Sequence, residues 1–264
     1  MAPARPERSV LSRIIHSDWT LRIGAVVFLL SAWEIASRVM GQLLMPSPAR
    51  TVESFRELTR SGELWGAWRE TLVILGIGLA LITTVGITLG LILGRFHLAD
   101  TFIEPVLTGL YVMPKLALLP IVVLWLGFQE QAKIVYIFLF GVFEVLFIVR
   151  NGVRAMEREY IEVSRAYMIP ERKMMISIIM PAAVPYIVTG LRLGLLKGIE
   201  GAIITGFLLE SNGIGGLIYN AGSSFQPEVV FAGLATVAVI GILINIALRA
   251  VERRVAPWSV ERPT

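Results

Sequence analysis

Residues 150–185 read RNGVRAMEREYIEVSRAYMIPERKMMISIIMPAAVP. This interval lies between two runs apolar enough to sit in lipid, and it holds six of the chain's 24 Lys and Arg. Basic residues beside a membrane span bias their side towards the cytoplasm, so the interval is expected inside. Met156, Tyr160, Val163 and Tyr167 recur at i, i+4, i+7 and i+11, one face of a helix, with Arg158, Glu159, Glu162 and Arg165 around the other sides. Pro170 stops the pattern. The stretch predicts a short amphipathic helix at the membrane surface, offered to something in the cytoplasm.

Outward from this interval the chain is membrane. Of its 264 residues 55% are hydrophobic and 17% charged, against roughly 25% charged in an ordinary soluble domain. Apolar runs of span length alternate with short polar segments, which predicts an all-α membrane protein with six transmembrane helices. The spans fall at 19–40, 70–94, 102–126, 134–149, 181–209 and 229–250. Lys and Arg gather in residues 1–18, at Arg95, in 150–185 and after Arg249, whereas 210–228 contains none. That asymmetry places both termini in the cytoplasm. The apolar run after Arg5, Arg8 and Arg13 continues to Met40 without a small-residue cleavage site, so it reads as an uncleaved first span. The net charge of +4 is accounted for by orientation and anionic headgroups rather than nucleic acid.

The chain has no cysteine and only His16 and His97, which excludes thiol chemistry and leaves little basis for a metal or histidine site. Between spans one and two, Met45-Pro-Ser-Pro-Ala reads as an extended turn feeding a surface helix over 49–60. Gly86, Gly90 and Gly94 in span two, and Gly190, Gly194 and Gly198 in span five, recur every fourth residue. Such a face lets another helix approach closely, although glycine is also simply common in membrane helices. Span three contains Pro105, Pro114 and Pro120, breaks tolerated where protein or a cavity takes up the freed carbonyls, so it is expected to line a path.

Five charges fall inside spans: Lys115, Glu144, Arg192, Lys197 and Glu200. Charges are costly in lipid and should face the bundle interior or water. One reading makes Lys197 and Glu200, three apart, a neutralised clasp and lets Lys115 snorkel to an interface. The other makes Lys115, Arg192 or Lys197 a passing contact for an anion, with Glu144 and Glu200 limiting its strength.

From Glu162 the chain reads Glu-Val-Ser-Arg-Ala-Tyr-Met168, then nine residues, then Ile178-Ile-Met-Pro181. This resembles the EAA loop of permease subunits of binding-protein-dependent ABC importers, E-A-A-x3-G-x9-I-x-L-P, with Glu162, Ile178 and Pro181 in register. Met45-Pro-Ser-Pro, Leu118-Leu-Pro120 before Trp125-Leu-Gly127-Phe, Gly190-Leu-Arg192-Leu, Gly213-Ile-Gly215 and Glu252-Arg-Arg with Pro257-Trp258 look like the nitrate, sulfonate and taurine branch of that family. The resemblance spans residues 44–258.

The resemblance implies a type I ABC importer permease fold in the bacterial inner membrane. Residues 1–18 and 255–264 become cytoplasmic tails of a membrane domain at 19–254, with a coupling helix at about 154–169 that docks on a separate ATPase. Met156, Tyr160, Val163 and Tyr167 supply its apolar face, Arg158, Glu162 and Arg165 its polar contacts, and Pro170 and Pro181 its corners. The alternative is an interfacial helix resting on headgroups. Implied partners are a second permease, as a homodimer, two cytoplasmic ATPase subunits, a periplasmic solute-binding protein and membrane lipid. This chain lacks G-x4-G-K-[ST], so ATP and Mg belong to the ATPase, and the chain is a transport subunit rather than an enzyme. Two rivals stay open: an ion-gradient-driven carrier, which predicts internal repeats, and a non-transporting membrane scaffold.

The chain departs from the pattern in two places. Val163 and Ser164 replace the alanines and Met168 the glycine, so the tight turn is expected to pass to Ile169–Pro170. Span five of the resembled permeases carries an acidic residue seven positions before Gly-Ile-Gly, where this chain has Gly206 and its acids are Glu200 and Glu210.

Overall fold

A computed structural model describes residues 18–155, 162–164, 166–209 and 213–255, and among these there are helices and turns but no strand. The elements are α1 (Asp18–Met40), α2 (Pro48–Ser61), α3 (Glu63–Arg95), α4 (His97–Val112), a 3-10 turn (Lys115–Leu118), α5 (Leu119–Leu126), α6 (Glu130–Arg154), α7 (Glu171–Leu208), α8 (Ile214–Ser223) and α9 (Pro227–Val255). α1, α3, α6, α7 and α9 are each long and apolar enough to cross a bilayer, whereas α4 and residues 115–126 reach that length only as a pair bent by 96°, the geometry of a broken span or a re-entrant loop. Met156, Arg158, Tyr160 and Arg165, four of the residues assigned above to the surface helix, lie outside the described residues.

The turn before α2 forms as its residues dictate. Ser47 is extended and its hydroxyl accepts from the Arg50 N–H at 3.3 Å, while Pro48 starts the helix where its missing N–H costs nothing. Trp33 reaches down from α1 and donates to the Pro46 carbonyl at 2.9 Å, fixing span one to this turn. Gly62, at φ 82°, closes α2 and opens α3.

The core is three helices, with α6 between α3 and α7. A Cβ on Gly86, Gly90 or Gly94 would stand 2.8, 2.7 or 2.6 Å from the Cβ of Val145, Val149 or Val153 respectively. Each valine of α6 thus seats in a glycine gap of α3, one helical turn after another. On the far side, a Cβ on Gly194 would meet Val145 Cγ2 at 2.6 Å, and one on Gly190 would lie 3.3 Å from the Val145 Cα. Both four-residue glycine faces are therefore contact faces. Val145 and Val149 are fully buried between them.

Span three breaks at one proline of three. Met113 precedes Pro114, whose ring forces it out of the helical region to ψ 132°, and the axis turns by 96°. Pro105 stays inside α4, and Pro120 takes the first turn of α5, where proline is tolerated.

Three expectations need correction. α3, α6 and α7 run well past their apolar cores, because hydropathy reads the lipid while helical hydrogen bonding continues into the polar flanks. Pro181 is no corner: Glu171–Leu208 is one helix, and its turn Met175–Ile179 widens to π geometry just before the proline, with the Met180 N–H bonded to the Met175 carbonyl. That widening accommodates the ring without a break. The interval 210–228, which the span boundaries leave as a loop, contains the buried helix α8. Its start is held by the Ile214 N–H donating to Thr71 Oγ1 at 2.9 Å. A Cβ on Gly213 would strike that hydroxyl at 2.6 Å, and one on Gly215 the Ile203 carbonyl at 2.5 Å. The Gly-Ile-Gly spacing is what lets α8 enter.

Candidate functional site

The candidate side chains fall into two groups, one at the polar end of the bundle between α6 and α7, the other half-way up its helices.

At the polar end, residues 162–164 and 166–170 form a helical turn and its ending. Tyr167 donates its N–H to the Val163 carbonyl and Ile169 to the Ser164 carbonyl, both at 3.0 Å. The second bond spans five residues and is the closing bond of a Schellman ending, which needs a left-handed residue just before it. That residue is Met168, at φ 51°. The tight turn has not passed to Ile169–Pro170. Pro170 restricts Ile169 to extended backbone, so the reversal has to occur one residue earlier, where the resembled family has glycine. Ser164 is buried against the protein, whereas Val163 is 54% and Tyr167 78% exposed. These two lie one helical turn apart and present an apolar patch outward, flanked by Glu162.

Ion pairs bracket this segment. On the upstream side, Arg150 and Arg154 at the end of α6 both engage Asp100 in the first turn of α4. The Arg150 Nη2–Asp100 Oδ2 distance is 2.7 Å, and Arg150 also reaches Glu104 at 2.8 Å. On the downstream side, Glu171 at the start of α7 receives Arg95 from the end of α3 at 2.6 and 3.0 Å. Sequence reasoning named none of these pairs. The available signal was complementary spacing: two acids four apart, Asp100 and Glu104, opposite two arginines four apart, Arg150 and Arg154.

In the membrane interior, four of the five charged candidates converge. Lys115 sits at the break in span three. Its Nζ donates to the Tyr111 carbonyl at 3.4 Å, a cation at the carbonyl end of α4, and lies 5.1 Å from the Tyr111 ring and 5.9 Å from that of Phe143. Glu144, the residue after Phe143, is close enough to Tyr111 and Lys197 to interact with both. Lys197 and Glu200 pair at 2.7 Å and are each about half exposed. Glu144 is ten residues from Arg154, about 15 Å up the helix and so near the middle of a hydrocarbon core about 30 Å thick. Arg192 stands apart: it turns to Glu252 of α9 at 3.9 Å, where Thr189 also donates at 2.8 Å. It clasps span five to span six.

Comparison with known proteins agrees with this architecture. Residues 86–257 match the family described as the inner membrane component of binding-protein-dependent transport systems. The chain belongs to this family. SsuC of Bacillus subtilis (strain 168), named for aliphatic sulfonates transport, is 31% identical over 87% of this chain and 84% of its own length. The taurine transport system permease protein TauC of Escherichia coli (strain K12) is 29% identical over 92% and 90%. The nitrate import permease protein NrtB of Synechocystis is 29% identical over 96% and 95%. An inward-facing structure of the MetNI methionine ABC transporter superposes with a TM-score of 0.66 at 18% identity, covering 75% of this chain and 98% of that one. The fold is that of a type I ABC importer permease, and the chain is an importer subunit that works with ATPase subunits, similar to permeases named for sulfonates, taurine and nitrate. An ion-gradient carrier and an inert scaffold are thereby set aside.

The permease family also makes sense of the second departure. A Cβ at Gly206, where the acidic residue was expected, would lie 2.5 Å from the Gly215 Cα. The backbones of α7 and α8 touch there, so a carboxylate has no room and the acid of this span is Glu200, on the open side.

Proposed function

We propose that this permease imports a small oxyanion, driven through residues 154–169 by a cytoplasmic ATPase that binds ATP and Mg, and that it works as a homodimer supplied by a periplasmic solute-binding protein. Val163 and Tyr167 carry the reading. Two neighbouring apolar side chains left exposed at the polar end of a membrane bundle fit the groove of a partner better than they fit water; helical spacing in the sequence adds Met156 and Tyr160 to the apolar set and assigns Arg158, Glu162 and Arg165 to the polar contacts that would set register. Both termini lie in the cytoplasm on this reading, since Lys and Arg concentrate on the side of the Val163–Tyr167 turn. Met168 and Pro170 shape the end of the coupling helix.

The substrate class rests on the relatives. Aliphatic sulfonates, taurine and nitrate share a delocalised oxyanion. Lys115 and Lys197 offer such a group a cation, and Glu144 and Glu200 keep the contact weak enough for release. A half-exposed Lys197–Glu200 pair at mid-membrane has to be covered by water or by another protein surface, which supports pairing with a second permease around a hydrated path. ATP-driven closure would draw two coupling helices together and open that path outward, and hydrolysis would reset it.

Co-purification with the ATPase and hydrolysis stimulated by the binding protein test the drive. Glu162→Arg is expected to abolish that stimulation, and stimulation unchanged by Glu162→Arg defeats the coupling role. Lys197→Gln is expected to leave hydrolysis intact while uptake falls; uptake at the parental rate removes Lys197 from the path.

A further inference from the structure

Asp100 is the only residue of α4 that is buried, and it is a carboxylate. A helix in this position would ordinarily be held by apolar side chains, yet the polar end of α4 is held to α6 by charge. Asp100 is completely enclosed by Arg150 and Arg154, and Arg150, 5% exposed, bridges on to Glu104 one turn along. Two acids and two arginines make a neutral network, with the Arg150 guanidinium stacked 5.7 Å over Phe147. Buried ion pairs are poor devices for stability alone, because apolar side chains of similar volume often serve as well or better. They are good devices for holding one register between two elements, since a shifted helix leaves a charge unpaired.

The position of the network gives that register a use. Arg150 and Arg154 are the last charged residues of α6 before residues 155–170, and Glu171 is the first charged residue after Pro170. Upstream the segment is tied to Asp100; downstream it is tied to Arg95. Arg95 and Asp100 belong to the same corner, the α3–α4 junction at Phe96. Both ends of the segment therefore grip one corner, and from that corner α4 runs directly to the Met113–Pro114 break and Lys115.

We infer that the α3–α4 corner receives the coupling stroke, with Asp100 as the positioning residue that makes the broken span follow the coupling segment. This rests on the coupling role proposed for residues 154–169. When the segment is displaced, Arg150 and Arg154 carry Asp100 with them, and α4 moves as a lever whose far end is the Pro114 bend.

The test uses the complete transporter, permease with ATPase and binding protein, in proteoliposomes, reading solute imported per ATP hydrolysed. Asp100→Asn keeps the shape but removes the charge that both arginines follow. Basal hydrolysis is expected to stay within two-fold of the parent while import per ATP falls at least ten-fold, and Asp100→Glu is expected to recover a substantial part. Import per ATP within two-fold of the parent in Asp100→Asn overturns the inference. If Asp100→Asn does not assemble, the double variant Glu104→Gln/Glu171→Gln decides, because both removed groups are about half exposed. It is expected to lose import per ATP three-fold or more, and unchanged coupling there overturns the inference equally. Glu162→Arg measured in parallel separates the two levels. Stimulation lost in Glu162→Arg with normal coupling in the Asp100 variant removes only the corner's role, whereas normal stimulation in Glu162→Arg removes the coupling reading itself.

Discussion

Gly90 and Gly76 lie on the same helix, and exchanging each for alanine separates two effects of opposite sign. Alanine in a helix interior is favoured over glycine by about 0.8–1 kcal/mol wherever its methyl has room. At Gly76 nothing lies within 4 Å of the new Cβ, so Gly76→Ala is expected to stabilise. At Gly90 the methyl would stand 2.7 Å from Val149 Cβ and 2.9 Å from the Leu146 carbonyl oxygen. Carbon pairs rest at about 3.5–4.0 Å, so α3 must withdraw by roughly 1 Å and drag the gaps at Gly86 and Gly94 off their valines. Overpacking of this kind costs about 1–3 kcal/mol. Because helix propensity is common to both variants, their difference isolates that cost, which corresponds to about 2–12 °C between their unfolding midpoints. The chain has no cysteine for a thiol dye but six tryptophans, so intrinsic fluorescence of the purified permease in detergent is the suitable readout. A double-mutant cycle with Val149→Gly should show a coupling of about 1 kcal/mol or more, since removing the valine makes room for the alanine. Midpoints within a degree of each other, together with an uncoupled cycle, would refute the account of α6 seated in a glycine ladder.

Two further outcomes follow from backbone geometry. Met168→Gly relieves a left-handed residue that costs about 1–2 kcal/mol, less about 0.5–1 kcal/mol of added chain entropy, so hydrogen exchange at the Ile169 amide should slow about two- to five-fold; an unchanged rate counts against a strained Met168. Gly206→Ala drives a methyl into the Gly215 backbone, with a cost of about 2–3 kcal/mol offset in part by alanine's gain of about 0.8–1 kcal/mol in a helix, and should lower the unfolding midpoint by about 2–8 °C; an equal or higher midpoint means that α7 and α8 do not touch there.

Much of this architecture was legible because a bilayer constrains sequence strongly. Five of the six apolar runs correspond to single long helices and the sixth to the pair bent at Pro114, and the surface helix after Met45-Pro-Ser-Pro and both glycine faces are observed too, since each is written in local chemistry: hydropathy, a proline-marked turn, the absence of a Cβ. What escaped depends on relations across the fold. α8 is short and flanked by polar residues, so hydropathy gave no reason to bury it, and its support, Thr71 on Ile214, comes from 143 residues away. Pro105, Pro114 and Pro120 look equivalent in sequence, and only the neighbours decide that the chain turns at Pro114. Lys197 and Glu200 were readable as a pair from their spacing, whereas Arg192 could be assigned to Glu252 only once spans five and six were side by side. Asp100 was overlooked because an acid in the first turn of a helix has an ordinary reason to be there.

The uneven grip on the helices has a mechanical consequence. α6 is clamped along two sides by α3 and α7, so it is stiff: a displacement at Arg154 reaches Glu144 with little lost to flexure. α1 is compliant by contrast. Most of its apolar side chains are exposed, and Trp33 ties it down, held by the Pro46 carbonyl and packed 5.6 Å from the Phe231 ring, with Ser37 buried one turn on. Tilting a loosely held helix is a low-cost response to mismatch with the surrounding lipid. A change in bilayer thickness is therefore expected to be taken up first by α1, ahead of the clamped helix that carries Glu144.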